Sequence, residues 1–128
     1  MTLGSGDSAK RPIERLPFRV AVASEDQLEA IAQTRSKAYG RHLPTMQDQL
    51  ARPEPADTAS DCLLVAASSP LDGSILGSFR MQLNHVQALQ LEMSVELPAR
   101  YQGALLAEIV RLNIPSNPGA AAVRAALF

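Results

Sequence analysis

One cysteine, Cys62, stands in a chain of 128 residues that has no tryptophan. A lone thiol cannot close an internal disulfide, so nothing in the sequence asks for an oxidising compartment. An excess of charge of either sign is missing too: 12 Lys+Arg stand against 13 Asp+Glu, for a formal net charge of -1, and the cationic residues form no run. A polyanion would find neither a global field nor a basic patch, which excludes nucleic acid as a partner. No apolar stretch approaches the roughly 20 residues that a bilayer-spanning helix needs. The start, Met1-Thr-Leu-Gly-Ser-Gly-Asp-Ser, lacks the charged and apolar regions of a signal peptide. A cytoplasmic protein with no transmembrane segment is expected. Also absent are a Ser-centred nucleophile elbow, a Gly-rich phosphate loop, and any Cys/His/Asp cluster around His42 or His85, so no metal site is expected.

What is present is an ordinary globular composition, 46% hydrophobic and 20% charged, of a length that suits one domain. Residues 1–16 carry no hydrophobic period and read as a disordered leader, leaving 17–128 as the domain. Phe-Arg-Val-Ala-Val-Ala from Phe18 suits a strand over 17–23. Ser24 and Gln27 form a capping-box signal, and Leu28, Ile31, Ala32, Arg35 and Tyr39 follow at helical spacing until Gly40. A short second helix is expected from Pro44, then a loop from Pro53 to Ser60. The period then changes from 3.6 to 2. Cys62–Ala67 reads as a compact apolar strand, in which Cys62 is a small core residue rather than a nucleophile. Pro70-Leu-Asp-Gly73 supplies a turn, and Ser74–Leu83 alternates, with Ile75, Gly77, Phe79, Met81 and Leu83 on one face and Ser78, Arg80 and Gln82 on the other. After an irregular stretch from Asn84 to Gln102, Leu105–Ile114 reads as a further strand and Ala120–Phe128 as a short helix. The order strand, helix, helix, strand, strand, strand, helix indicates an α+β or layered α/β domain with a mixed, mostly antiparallel sheet flanked by helices.

Four features carry chemical potential: Arg35-Ser-Lys-Ala-Tyr39 in the first helix, Asp61 before the second strand, Gly77-Ser-Phe-Arg80 in the third, and Glu108-Ile-Val-Arg111 in the fourth. A charge inside an apolar strand is tolerated only with a partner or a function, because burying it unpaired costs several kcal/mol. Residues three apart fall on opposite faces of a regular strand, so Glu108 and Arg111 share a site only across a β-bulge. Otherwise they are edge-exposed side chains or a structural ion pair.

In order and context these features resemble the N-acyl amino acid synthase and autoinducer (acyl-homoserine lactone) synthase branch of the GNAT-type acyltransferases, over about Phe18 to Phe128. Leu91-Glu-Met-Ser-Val-Glu-Leu-Pro98, leading into Ala107-Glu-Ile-Val-Arg-Leu, looks more like the N-acyl amino acid synthases, as does the missing tryptophan after the first helix. A second acidic residue is expected near Asp61, and Asp57 is the candidate, at a spacing that fits the pattern poorly.

The resemblance implies a three-layer GNAT-like fold whose C-terminal half is missing, completed by further chain or by a homodimer that covers Val123, Ala126, Leu127 and Phe128. It implies transfer of a fatty acyl group from an acyl-phosphopantetheine thioester to the amino group of a small amine or amino acid. Glu108 would be the general base, since a partly dry carboxylate can titrate nearer neutrality. Arg35, Tyr39, Asp61, Arg80 and Arg111 would bind substrate, or the charged members among them would form a structural network with Glu108. Leu112, Asn113 and Ile114 would line the thioester arm, and Gly119 and Ala120 would meet its phosphate. Only Gly119-Ala-Ala remains of the loop that acetyl-CoA-using relatives carry, which favours acyl carrier protein over coenzyme A as donor. No permanently bound cofactor is implied. An acetyl-CoA-dependent acetyltransferase and a non-catalytic interaction domain are the alternatives.

Overall fold

A computed structural model of the chain describes residues 17–115 and 119–127. Its sheet has four strands in sequential order, β1 (Arg19–Val22), β2 (Cys62–Ser68), β3 (Ile75–Leu83) and β4 (Ala107–Asn113), and every pairing is antiparallel. The expected parallel component is therefore absent from the described residues, and the fold is α+β.

Helix α1 (Leu28–Gly40) follows a 3-10 turn, Glu25–Gln27. Its entry is fixed as the sequence suggests, with the Ser24 backbone N–H donating to Gln27 Oε1 at 2.9 Å. Helix α2 (Pro44–Leu50) starts on its proline and is tied back where Ser36 Oγ donates to the Gln47 carbonyl at 2.6 Å. The segment 53–60, expected as plain loop, contains a 3-10 turn, Pro55–Thr58. The irregular stretch after β3 contains helix α3 (Gln90–Ser94) and a 3-10 turn, Ala99–Tyr101. Helix α4 (Ala120–Leu127) closes the described chain. No helix of the described residues is long and apolar enough to cross a membrane.

The helices lie on both faces of the sheet. Ile31 of α1 packs with Leu64, Ala66 and Ile75, while Val123 and Leu127 of α4 pack with Phe18, Ala67 and Phe79. Val123 and Leu127 thus find their cover on this chain's own sheet, at 2% and 6% exposure; Phe128 lies outside the described residues. Gly77 makes that packing possible, because a Cβ there would sit 3.0 Å from Val123 Cγ1.

One expected face assignment is wrong. Ala67 pairs with Gly77, but Ser68 pairs with Ile75, so Leu76 is an extra residue in β3. This bulge turns Ile75 away from Phe79 and onto the α1 side, and turns Leu76 toward α4. The turn that follows Ser68 is as expected: Gly73 takes φ 75°, open to glycine without strain, and the Ser69 N–H donates to the Ser74 carbonyl at 2.9 Å.

Candidate functional site

The second irregularity of the sheet builds the site. Ser78 pairs with Asn113 and Arg80 with Val110, so two steps along β3 match three along β4. The extra residue falls at Arg111, which adopts φ 55° in the left-handed region. For an arginine this conformation is strained by about 1–2 kcal/mol and needs outside support. Support comes from both ends of the residue. The guanidinium donates twice to Glu54, Nε to Oε1 at 3.0 Å and Nη2 to Oε2 at 3.1 Å, and the carbonyl accepts from Asn113 Nδ2 at 3.2 Å. The same Asn113 amide donates to Ser78 Oγ at 2.9 Å, pinning β4 to β3 just past the bulge.

The bulge puts Arg111 on the side of the sheet that carries Arg80. There a buried ionic network forms, with three arginines and two carboxylates. Arg35, fully buried in α1, holds Asp57 with both terminal nitrogens at 3.0 and 3.1 Å and reaches Glu54 Oε1 at 3.2 Å. Arg80 donates to Asp57 Oδ1 at 2.9 Å and to Glu54 Oε1 at 3.1 Å. Asp57 also accepts from the Glu54 backbone N–H at 2.8 Å, which fixes the 3-10 turn that presents both acids. Burial pushes the Asp57 carboxyl up, but donation from Arg35, from the Glu54 N–H and from Arg80 outweighs it and leaves the group below its usual range. The same contest, decided by Arg111 and Arg80, lowers Glu54.

Both carboxylates are therefore more acidic folded than unfolded. Their stabilising contribution is complete above the ordinary carboxylate range and is lost as pH falls through about 4 toward the lowered folded values. Denaturant melts at stepped pH should show a stability plateau above about pH 5 and a steep fall below about 4, and the fall should flatten in an Asp57→Ala variant. An acid limb unaltered by that substitution would remove the network as its cause.

Sequence reasoning named Arg35, Arg80, Arg111 and Asp57 and missed Glu54. The one local signal for Glu54 is its place before Pro55, a helix-starting residue, three positions ahead of Asp57. Asp61 lies elsewhere: it is 3% exposed, makes no ion pair among the described residues, and its Oδ2 has no partner there. Its Oδ1 lies 3.6 Å from Cys62 Sγ. Burial pushes the Cys62 thiol up and the Asp61 carboxylate adds to the shift. Alkylation of Cys62 should accordingly be slow at pH 7 and still accelerating above the ordinary thiol value of about 8.5; a rate that levels off below pH 8 would contradict this. Cys62 itself is half-buried rather than a core residue.

Glu108 lies on the same side of β4 as Val110 and lines a cavity of about 380 Å³ together with Arg80 and Arg111. Among the described residues its side chain has no hydrogen bond or ion pair, so the structural pairing of Glu108 with Arg111 does not form; Glu54 takes that arginine instead. Tyr39 donates to the Leu112 carbonyl at 3.3 Å and lines a second, mostly apolar cavity of about 300 Å³ with Leu43, Leu112 and Asn113. The side chains of Leu112 and Ile114 pack against the α4-side core, and Asn113 is buried. Gly119 and Ala120 stand at the start of α4, and the loop residues 116–118 lie outside the described residues. His, Cys, Asp and Glu side chains form no group among the described residues that could hold a metal ion.

The arrangement can do two things chemically. The network supplies fixed cations at one wall of the polar cavity, and Glu108 supplies an uncommitted carboxylate at the same cavity. Compared with protein-family models, with curated proteins and with solved structures, the chain matches none of them.

Proposed function

We propose that the chain is an N-acyltransferase domain of GNAT-like type that joins an acyl group from a thioester to the amino group of a small molecule. One observation carries this reading. The bulge at Arg111 brings Glu108 and two arginines to a single cavity, an arrangement a regular strand forbids. The order of the four sequence features and the placement of α1 and α4 on opposite faces of the sheet agree with it.

In the reaction, an ammonium group entering the cavity first loses a proton to Glu108, directly or through one water. The neutral amine attacks the thioester carbonyl; the C–N bond forms, the C–S bond breaks, and the departing sulfur takes the second amine proton to leave as a thiol. Glu108 returns its proton to solvent. The bulge leaves Arg111 without a partner in the register, and its backbone N–H is the group we assign to polarising the carbonyl. The donor is an acyl-phosphopantetheine arm reaching the bulge from the apolar cavity beside Tyr39 and Leu112, carried by acyl carrier protein in preference to coenzyme A.

Mass spectrometry of lipid extracts from cells producing the chain tests this. New N-acyl amines are expected. Folded protein without any such product would leave the non-catalytic reading in place, and coenzyme A binding with acetylated product would favour the acetyltransferase.

A further inference from the structure

The polar cavity has a composition more specific than acyl transfer requires. Within the network three guanidinium groups face two carboxylates, Glu54 and Asp57, so one positive charge is left over. Arg80 is 6% exposed, lines the cavity, and has a buried Nε with no partner among the described residues. Glu108 faces the same space and pairs with no cation among the described residues. A purely anionic ligand would be repelled by Glu108 and a purely cationic one by the arginines. A ligand carrying both charges satisfies both walls, with its carboxylate on the guanidinium side, where planar forks suit it, and its ammonium on Glu108. The rest of the lining is uncharged, and Ala88, Met93 and Val110 are its apolar members. Gln82 of β3, Gln87 before α3 and Gln90 within α3 bring three carboxamides to the cavity, and none has a side-chain partner among the described residues.

We infer that this cavity binds a free α-amino acid with an uncharged, hydrogen-bonding side chain, and that Gln82, Gln87 and Gln90 determine that preference. The inference rests on the proposed function for what becomes of the bound amino group, but the binding stands apart from it. Carboxamides both donate and accept, so they match an amide or hydroxyl side chain, and a hydrocarbon of equal size leaves them desolvated without partners. Sites that hydrogen-bond a ligand reject its apolar analogue far more strongly than apolar pockets reject a polar one. Because Gln87 and Gln90 are exposed, the discrimination here is about tenfold, not the much larger factor of a closed site.

Isothermal titration of the full chain with glutamine, leucine, glutamate and glutaminamide reads this out with no acyl donor present. Glutamine should bind about tenfold tighter than leucine, and glutaminamide, which lacks the carboxylate, should lose most of its affinity. Gln82→Leu should narrow or invert the glutamine-to-leucine ratio, and Gln87→Leu, at an exposed position, should do the same without touching the sheet. Equal affinity for glutamine and leucine, undiminished binding of glutaminamide, no binding of any of the four, or a ratio unmoved in both variants would each overturn the inference. N-acyl products formed equally on leucine and glutamine would overturn it while leaving acyl transfer standing. Selective binding with no N-acyl product would do the reverse.

Discussion

Replacing Asp57 with alanine is expected to remove about 3–5 kcal/mol of folding stability, a large share of what a domain of this size possesses. Arg35 is fully buried in α1 and places both terminal nitrogens on this one carboxylate, and Arg80 places another there. Without Asp57, two guanidinium groups stay in the interior with a single shared acid, Glu54, and the desolvation of the uncompensated charge falls on the folded state. Glu54→Gln should cost less than Asp57→Ala, because the amide keeps an oxygen that can accept from the arginines and because Glu54 and Arg111 are partly exposed. The double variant Arg35→Met/Asp57→Leu tests the cause, since an apolar pair of similar volume frequently recovers what a broken ion pair loses. Denaturant melts of the four proteins decide: an Asp57→Ala variant as stable as the parent, or a double variant no better than the single one, would show that the network contributes little.

Glu108→Gln should leave the melt within about 0.5 kcal/mol of the parent, as for a surface change away from packed features, because no partner among the described residues loses a bond. Turnover should nevertheless drop by about 10²–10⁴, the usual worth of a positioned general base. The amide keeps the size of the carboxylate and removes its ability to accept a proton. The contrast between Asp57 and Glu108 is the sharpest separation of support from chemistry that the site offers. A Glu108→Gln protein with full specific activity would take Glu108 off the catalytic list, whatever became of its stability.

The elements of this fold could be read from the chain wherever the signal was local. Ser24 with Gln27, Pro44, and the run Pro70 to Gly73 each mark a boundary through their own backbone preferences, and the boundaries appear near where those residues place them. The two bulges were a different matter. That Glu108 and Arg111 could meet only across a bulge was evident from their spacing; that Leu76 would turn Ile75 to the other layer was not, because that phase change is decided by packing against Ile31, more than forty positions earlier in the chain. Glu54 was hidden for the same reason. Its bonds to Arg35, Arg80 and Arg111 span separations of 19, 26 and 57 residues, and no period or propensity records such distances. Asp61, in contrast, is a residue on which motif order and three-dimensional placement part ways, being buried yet outside the network its position suggested.

The extra residue at Arg111 gives β4 a parity. Upstream of it, Glu108 and Val110 point to the α1 side; downstream, Asn113 does so, three positions on instead of two. Removing a single residue anywhere between Val110 and Asn113 would let the strand pair regularly, with its ladder fully satisfied, and yet would take the guanidinium away from Glu54 and empty one wall of the cavity. Lengthening the 84–106 connection alters no such phase. Length is therefore constrained one residue at a time in β4, so that a shortened β4 would pair regularly and lose its site.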